Sequence, residues 1–129
     1  MKSVKGKRVL VTGAAMGMGR LFAERAIAER ASAVVLWDVD EAALNATLAE
    51  LAELAHESVE VSGWVVNVAD AAEVAATAAA VLAEHGCIDV LVNNAGIVRG
   101  NKYFWESDLE RDTKLTIDVN TLGPMYVAH

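Results

Sequence analysis

Three glycines stand within seven positions near the start of the chain: Gly13, Gly17 and Gly19. Glycine costs about 0.5–1 kcal/mol relative to alanine inside a regular element, so this cluster indicates backbone that bends sharply or touches another group. An apolar run precedes the glycines and an amphipathic pattern follows them, which places them between a strand and a helix. The free N–H groups and positive dipole end of such a helix suit a phosphate, and glycine leaves room for a pyrophosphate to come close. The spacing therefore predicts a pyrophosphate-binding loop.

A carboxylate closes the next apolar run. Asp38 follows Gly19 by nineteen residues, close to the roughly 20 expected between a glycine loop and the acid that accepts hydrogen bonds from an adenosine ribose. Its charge would repel a 2′-phosphate on that ribose. Asp38 therefore favours NAD over NADP, unless a nearby arginine points into the pocket.

Two further polar segments follow apolar runs, Asn67–Val68 and Asn93–Gly96. Parallel sheets bind ligands beyond the carboxyl ends of their strands, at the point where the strand order reverses. In this chain that point is predicted between the first and fourth strands. We expect both polar segments to meet the glycine loop and Asp38 there.

The elements that must position these residues alternate between strands and helices. Apolar runs predict four strands, the third weakened by Gly63, at residues 8–11, 33–37, 59–66 and 88–92. Capping and periodicity predict four helices. The first follows Gly19, the second runs from the cap Asp40 to Leu54, and the third runs from Asp70 to Gly86. The fourth begins at Ser107–Glu110 and continues towards the end of the sequence, with Pro124 as a kink point. This order predicts an α/β fold, a Rossmann-type doubly wound parallel sheet in one domain over residues 1–129.

Composition restricts the partners. The chain has 11 Lys and Arg against 18 Asp and Glu, a net charge of −7, without a basic cluster. Nucleic acids and anionic membranes attract clustered cations, so neither is an expected partner. The apolar stretches are too short for a signal peptide or a membrane span, and the single Cys87 fits a reducing compartment, so we expect a cytoplasmic location. The three histidines lack ligand spacing, which predicts no metal site.

Three motifs together resemble the short-chain dehydrogenase/reductase family over nearly the whole chain. They are Thr12-Gly13-x-x-x-Gly17-x-Gly19, Asn93-Asn94-Ala95-Gly96, and Val119-Asn120 followed by Gly123. The resemblance implies that the chain carries the first four βα units of a dinucleotide-binding domain, truncated relative to the family. It also implies a homo-oligomer, a dimer or a tetramer.

The resemblance implies a role for each matching residue. The backbone of Thr12, Gly13, Ala15, Met16, Gly17, Met18 and Gly19 would hold the pyrophosphate, and Asp38 the ribose. Asn67 and Val68 would hold the adenine edge, and Asn94, Ala95 and Gly96 would line the cofactor cleft. Asn120 would be the catalytic asparagine that supports a water in a proton relay. The family usually has aspartate where Asn67 stands, but an amide can both donate and accept.

The sequence departs from the family at the catalytic pair. The family uses a serine together with a tyrosine and a lysine four residues later, whose charge lowers the tyrosine pKa. Here Ser107 follows Tyr103 at that spacing, and the sequence ends before the fourth position after Tyr126. We therefore expect the full-length protein to be an NAD-dependent alcohol dehydrogenase or carbonyl reductase that acts on a small-molecule alcohol or carbonyl substrate. We expect no activity from the 129-residue chain alone.

Two other functions fit the same residues. The chain could be a dinucleotide-binding or sensor module without chemistry, or it could bind another adenosine-containing ligand such as a nucleotide sugar or an S-adenosyl compound. Trp105, with Tyr103 and Phe104, lies in a loop that could flank a substrate or serve packing alone.

Overall fold

Four parallel strands form one sheet in the computed structural model, which describes residues 2–99 and 102–129. The strand order is β3-β2-β1-β4, with bounds β1 Arg8–Thr12, β2 Ala33–Asp38, β3 Glu60–Val65 and β4 Val90–Val92. The chain steps from β1 to β3 in one direction and returns to place β4 on the other side of β1. The predicted α/β class, parallel sheet and reversal between the first and fourth strands are confirmed.

Three helices connect the strands: α1 Gly17–Ala28, α2 Glu41–Leu54 and α3 Ala71–His85. Asp40 and Asp70 cap α2 and α3 as predicted: the Asp40 carboxylate accepts a hydrogen bond from the N–H of Ala43, and that of Asp70 accepts from Ala72 and Glu73. Gly86 ends α3 with a φ of +80°. The start of α1 differs from the prediction, because the helix begins at Gly17 and includes Gly19 in its first turn.

A C-terminal helical segment covers residues 109–128, with turns that alternate between π-type and α-type hydrogen bonding. Its cap is Asp108, whose carboxylate accepts hydrogen bonds from the backbone of Glu110 and Arg111. The prediction of Ser107 as the cap is wrong by one residue, since the Ser107 hydroxyl donates to the carbonyl of Phe104 instead. Wide turns precede Pro124, which lacks an N–H donor, and the segment continues helically through it.

Helices cover both faces of the sheet. Alternate strand residues such as Val11 and Leu36 pack with α1 and α2, whereas Leu10, Val35 and Trp37 pack with α3 and the C-terminal helical segment. β1 and β2 are buried on both sides, which explains why their sequences read as continuous apolar runs. The core thereby fixes the carboxyl ends of the strands as a rigid base for the loops.

Gly63 occupies the middle of β3 for a packing reason. A Cβ atom at this position would lie 2.5 Å from Cδ1 of Leu48 on α2. The missing side chain lets the leucine settle directly on the sheet. Gly63 is therefore compatible with the strand.

Candidate functional site

A cavity of about 470 Å³ opens beyond the carboxyl ends of the strands. Eight of the predicted site residues contribute to its lining: Gly13, Met16, Asp38, Asn67, Val68, Asn94, Ala95 and Gly96. They come from loops after all four strands. The structure thus brings together segments that are up to 83 positions apart in sequence.

Six predicted residues do not line this cavity: Thr12, Ala15, Gly17, Met18, Gly19 and Asn120. Met18 is exposed at the start of α1, whereas Thr12 and Ala15 are buried. The Thr12 side chain is 1% exposed, and its hydroxyl oxygen accepts hydrogen bonds from the backbone N–H groups of Asn94 at 3.1 Å and Ala95 at 3.0 Å. Thr12 therefore holds the loop after β4 against the end of β1.

The three glycines of the loop have different structural roles. Gly13 has a φ of +64°, and a Cβ atom there would lie 2.8 Å from Cα of Ala95. A Cβ atom at Gly19 would overlap the carbonyl oxygen of Gly13. Gly17 has a φ of +59° and open space where its side chain would stand. Gly13 and Gly19 thus permit close packing within the protein, and the binding of a pyrophosphate by this loop stays a prediction.

Asn94 joins the loop after β1 to the loop after β4. Its side-chain Nδ2 donates hydrogen bonds to the carbonyl oxygens of Thr12 and Gly13, both at 3.1 Å. Together with the Thr12 hydroxyl, this amide fixes the two loops that border the cavity at the strand-order reversal.

Asp38 is held by backbone on both sides. Its Oδ2 accepts a hydrogen bond from the N–H of Ala15 at 3.0 Å, and its Oδ1 accepts one from the N–H of Asp40 at 3.0 Å. Each carboxylate oxygen can accept more than one hydrogen bond, so acceptor capacity is left for a ligand. The carboxylate therefore lies at the cavity wall in a fixed orientation and also shapes the glycine loop.

Among the described residues that line the cavity, the charged ones are Asp38 and Asp40, and none is a lysine or arginine. The arginine nearest to the glycine motif in sequence, Arg20, forms ion pairs with Glu24 of its own helix and Glu50 of α2. Hydrogen bonding to Glu24, and then to Glu50, raises the Arg20 pKa above its usual value. Arg20 is thus held by acidic partners and does not contribute to the cavity lining.

Asn67 uses part of its polar capacity in its own turn. Its Oδ1 accepts a hydrogen bond from the N–H of Ala69, and its backbone N–H donates to the carboxylate of Glu73, both at 3.0 Å. Its side-chain Nδ2 has no hydrogen-bond partner within the described ranges. Because Asn67 lines the cavity, this amide group could donate a hydrogen bond to a ligand.

Asn120 forms a reciprocal pair with the backbone of Ile97. Its Nδ2 donates to the carbonyl oxygen of Ile97 and its Oδ1 accepts from the N–H of Ile97, both at 2.8 Å. The amide thereby ties the C-terminal helical segment to the chain just after Gly96. Its part in a proton relay stays a prediction.

Sequence reasoning missed several lining residues: Val39, Val66, Ile97 and Val119. They are apolar, and nothing in their spacing separates them from core positions. Asp40 was predicted only as a helix cap, yet it also lines the cavity. Trp37 belongs to both the core and the site, since it is 1% exposed and contributes to the lining.

The aromatic loop after β4 stands apart from this cavity. Tyr103 and Trp105 stack with ring centroids 4.7 Å apart and are exposed. Neither contributes to the cavity lining in the described part of the chain. A role for this loop at a substrate stays a prediction.

Across residues 2–99 and 102–129, no helix combines the length and the apolar character needed to cross a bilayer.

Comparisons with known proteins match the chain to dehydrogenases along nearly its full length. Residues 7–129 match the sequence profile of the short chain dehydrogenase family. Estradiol 17-beta-dehydrogenase 11 of Homo sapiens is 37% identical over 125 residues, which cover 97% of this chain and 40% of that protein.

Two solved structures show the same fold. A short chain dehydrogenase/reductase from Burkholderia phymatum in complex with NAD superimposes with a TM-score of 0.89 at 36% identity, over 99% of this chain and 43% of that one. L-sorbose reductase from Gluconobacter frateurii, complexed with NADPH and L-sorbose, gives a TM-score of 0.86 at 28% identity, over 98% of this chain and 46% of that one. The chain thus spans less than half the length of these relatives.

Proposed function

The chain belongs to the short-chain dehydrogenase family, and from this premise we propose that it forms the NAD-binding half of an oxidoreductase acting on an alcohol or a ketone. The observation that carries the proposal is the convergence of the glycine loop, Asp38 and Asn94–Gly96 on one cavity. Residues at the carboxyl ends of all four strands build this cavity, and a glycine loop after the first strand with an acid at the end of the second is the combination found in dinucleotide sites.

The residues present fit a dinucleotide. The cavity volume of about 470 Å³ lies within the range of small-molecule sites. Met16 precedes α1 at the cap position without making a side-chain cap, and the first turn of the helix has no acidic residue. Its free N–H groups and positive dipole end are therefore uncompensated by the protein, and the open space at Gly17 gives a pyrophosphate access to them.

Asp38 supports NAD as the preferred cofactor. Its oriented carboxylate would accept hydrogen bonds from ribose hydroxyl groups, whereas a 2′-phosphate would meet the charges of Asp38 and Asp40 without a cation among the lining residues. Similar solved structures contain NAD in some cases and NADP or NADPH in others. The proposed preference for NAD over NADP therefore rests on the residues of this chain.

The bound cofactor supplies a nicotinamide ring that exchanges a hydride with the substrate. In this chain the residues bind and orient. Asn94 and Thr12 keep the two loops at the reversal point together, and Asn120 holds the backbone at Ile97, which lines the cavity. We propose Asn120 as a positioning residue and, following the family resemblance, as the support of a relay water.

A titration tests the proposal. NADH and NADPH are titrated into the purified protein, the Asp38→Ala variant and the Glu53→Gln variant, which removes an equal charge from an exposed position on α2 away from the cavity. We expect NADH to bind more tightly than NADPH, and Asp38→Ala to weaken NADH binding by about 10-fold or more, the effect of losing one charge-assisted hydrogen bond of about 1.5–3 kcal/mol. Unchanged binding in Asp38→Ala, or no binding to the parent protein, would contradict the proposal.

A non-catalytic dinucleotide module is the second candidate. The observation that favours it is that the residue four positions after Tyr103 is Ser107, where the family's catalytic pair has a lysine. NADH binding without turnover of any alcohol or ketone by the full-length gene product would support this candidate over the enzyme.

A further inference from the structure

A buried histidine lies between two carboxylates at the end of the sheet opposite the cavity. His85 is the last residue of α3, and its side chain is 3% exposed. Its Nδ1 lies 3.8 Å from Oε2 of Glu60, the first residue of β3, and its Nε2 lies 3.8 Å from Oε1 of Glu84. These separations are too long for hydrogen bonds.

The ring has one nearer polar neighbour. The hydroxyl of Ser62 lies 3.5 Å from Nε2, which permits only a weak hydrogen bond. Nδ1 has no hydrogen-bond partner among the residues that the structure describes. A buried imidazole without a close partner leaves a nitrogen lone pair available.

We propose that Glu60, Glu84 and His85 form a binding site for a divalent transition-metal cation of the Zn²⁺ type. One ligand atom from each side chain can be chosen so that all three lie within 4.8 Å of one another. Bonds of about 2.0–2.2 Å to a tetrahedral Zn²⁺ separate its ligand atoms by about 3.3–3.6 Å. Rotation of the two carboxylate side chains would close this gap, and both can turn because Glu60 is 58% and Glu84 43% exposed.

The ligand set selects the type of cation. One imidazole with carboxylates suits Zn²⁺, Co²⁺ or Ni²⁺, whereas Mg²⁺ and Ca²⁺ prefer oxygen ligands alone. When one ring nitrogen binds the cation, the other carries the N–H, which can donate the kind of outer hydrogen bond that orients a metal-bound histidine. If that second nitrogen is Nε2, the Ser62 hydroxyl is the acceptor at 3.5 Å. Water completes the coordination.

The position of the site indicates a structural role. Its ligands connect the first residue of β3 to the last turn of α3, while the cavity lies beyond the carboxyl ends of the strands. A bound cation would join two elements that are about 24 residues apart in sequence, and it would stabilise the folded state by binding it in preference to the unfolded chain. This proposal therefore does not depend on the proposed oxidoreductase function.

Sequence spacing conceals the site. Glu60 is separated from the adjacent pair Glu84 and His85 by a strand, a loop and a helix. The prediction of no metal site considered the histidines alone, and the fold supplies the two carboxylates.

Direct metal titration of the purified protein tests the proposal. We expect Zn²⁺ to bind with saturation at one ion per chain by calorimetry, Co²⁺ to give the visible absorption of a tetrahedral centre, and the unfolding midpoint to rise by about 10 °C when free Zn²⁺ is about 100 times Kd. The Glu60→Gln/Glu84→Gln variant changes only exposed carboxylates and should fold normally. We expect it to lose at least about 10-fold in affinity, and His85→Gln to lose more.

Two control variants exclude other ligands. Cys87→Ser removes the nearby exposed thiol, and His56→Gln removes an exposed imidazole elsewhere. Both should bind Zn²⁺ like the parent, and NADH affinity should be the same with and without Zn²⁺. The proposal is overturned by the absence of stoichiometric binding, by full binding in the double glutamine variant, or by loss of binding in either control.

Discussion

Gly19 and Asn94 are packed so closely that a Cβ atom at the glycine would lie 2.5 Å from the amide nitrogen of the asparagine. The same atom would overlap the carbonyl oxygen of Gly13. The first turn of α1 can approach the ends of β1 and β4 only because residue 19 has no side chain. The loop that borders the cavity depends on this contact.

We expect Gly19→Ala to lower the free energy of unfolding by about 1–3 kcal/mol, because rigid backbone must move to admit the methyl group. The measurement is chemical denaturation followed by circular dichroism. Gly17→Ala is the matched comparison, since it meets no atom within 4 Å and carries only the left-handed backbone penalty of about 1 kcal/mol. A larger loss in Gly17→Ala than in Gly19→Ala would refute the packing argument.

Asn94→Asp should destabilise the protein because a carboxylate cannot donate to the carbonyl oxygens of Thr12 and Gly13. Two hydrogen bonds are lost and two acceptors face a negative charge, so the expected loss is about 2–3 kcal/mol by urea denaturation. Asn93→Asp is the control, because among the described residues the Asn93 amide makes a single hydrogen bond, to the carbonyl of Pro124. Equal losses of stability in the two variants would show that the two hydrogen bonds donated by Asn94 contribute no more than the one donated by Asn93.

Asn120→Ala should release the backbone at Ile97. Both hydrogen bonds of the reciprocal pair disappear, and the N–H of Ile97 then loses its only partner among the described residues. Hydrogen–deuterium exchange should show the Ile97 amide exchanging about 10-fold faster, the equivalent of about 1.4 kcal/mol of local stability. Thr121→Ala, at the neighbouring exposed position, should leave this rate unchanged, and unaltered exchange in Asn120→Ala would contradict the role.

The cap of the C-terminal helical segment should weaken in acid. Hydrogen bonds from the backbone of Arg111, followed by the charge of Arg111, lower the pKa of Asp108 below its ordinary 3.8. A lowered folded-state pKa means that the stabilisation is complete above about pH 3.8 and disappears as the pH falls through the folded-state value. Thermal unfolding of the parent and Asp108→Ala should therefore differ at pH 6, and the difference should be smaller at about pH 3.

A difference between the two proteins that is as large at about pH 3 as at pH 6 would show that the carboxylate charge is not the source of the cap. Glu53→Gln, which changes an exposed acid without a helix-capping role, should follow the parent at both pH values.

The strand pattern and the general place of the site were predictable because both follow from local features. The apolar runs of β1 and β2 are buried on both faces, and the residues that end the strands had to meet at one edge of a parallel sheet. Asp40, Asp70 and Gly86 acted as local signals for helix ends.

The remaining features depend on contacts between distant residues. The close packing of Gly13 against Ala95, the pairing of Asn120 with Ile97, and the approach of Glu60 to His85 join segments that carry no spacing signal. The choice between Ser107 and Asp108 as a cap was decided by the competing acceptor at Phe104. Such competitions are settled by tertiary structure.

The hydrogen bond from the N–H of Ala15 to Asp38 has an evolutionary consequence. In the proposed site, Asp38 would both discriminate between dinucleotides and hold the loop that receives their phosphates, so a mutation that relaxes the first property would also loosen the second. A lineage that exchanged one dinucleotide for the other would need a compensating substitution near Ala15, and descendants with altered cofactor use should carry paired changes at these two places.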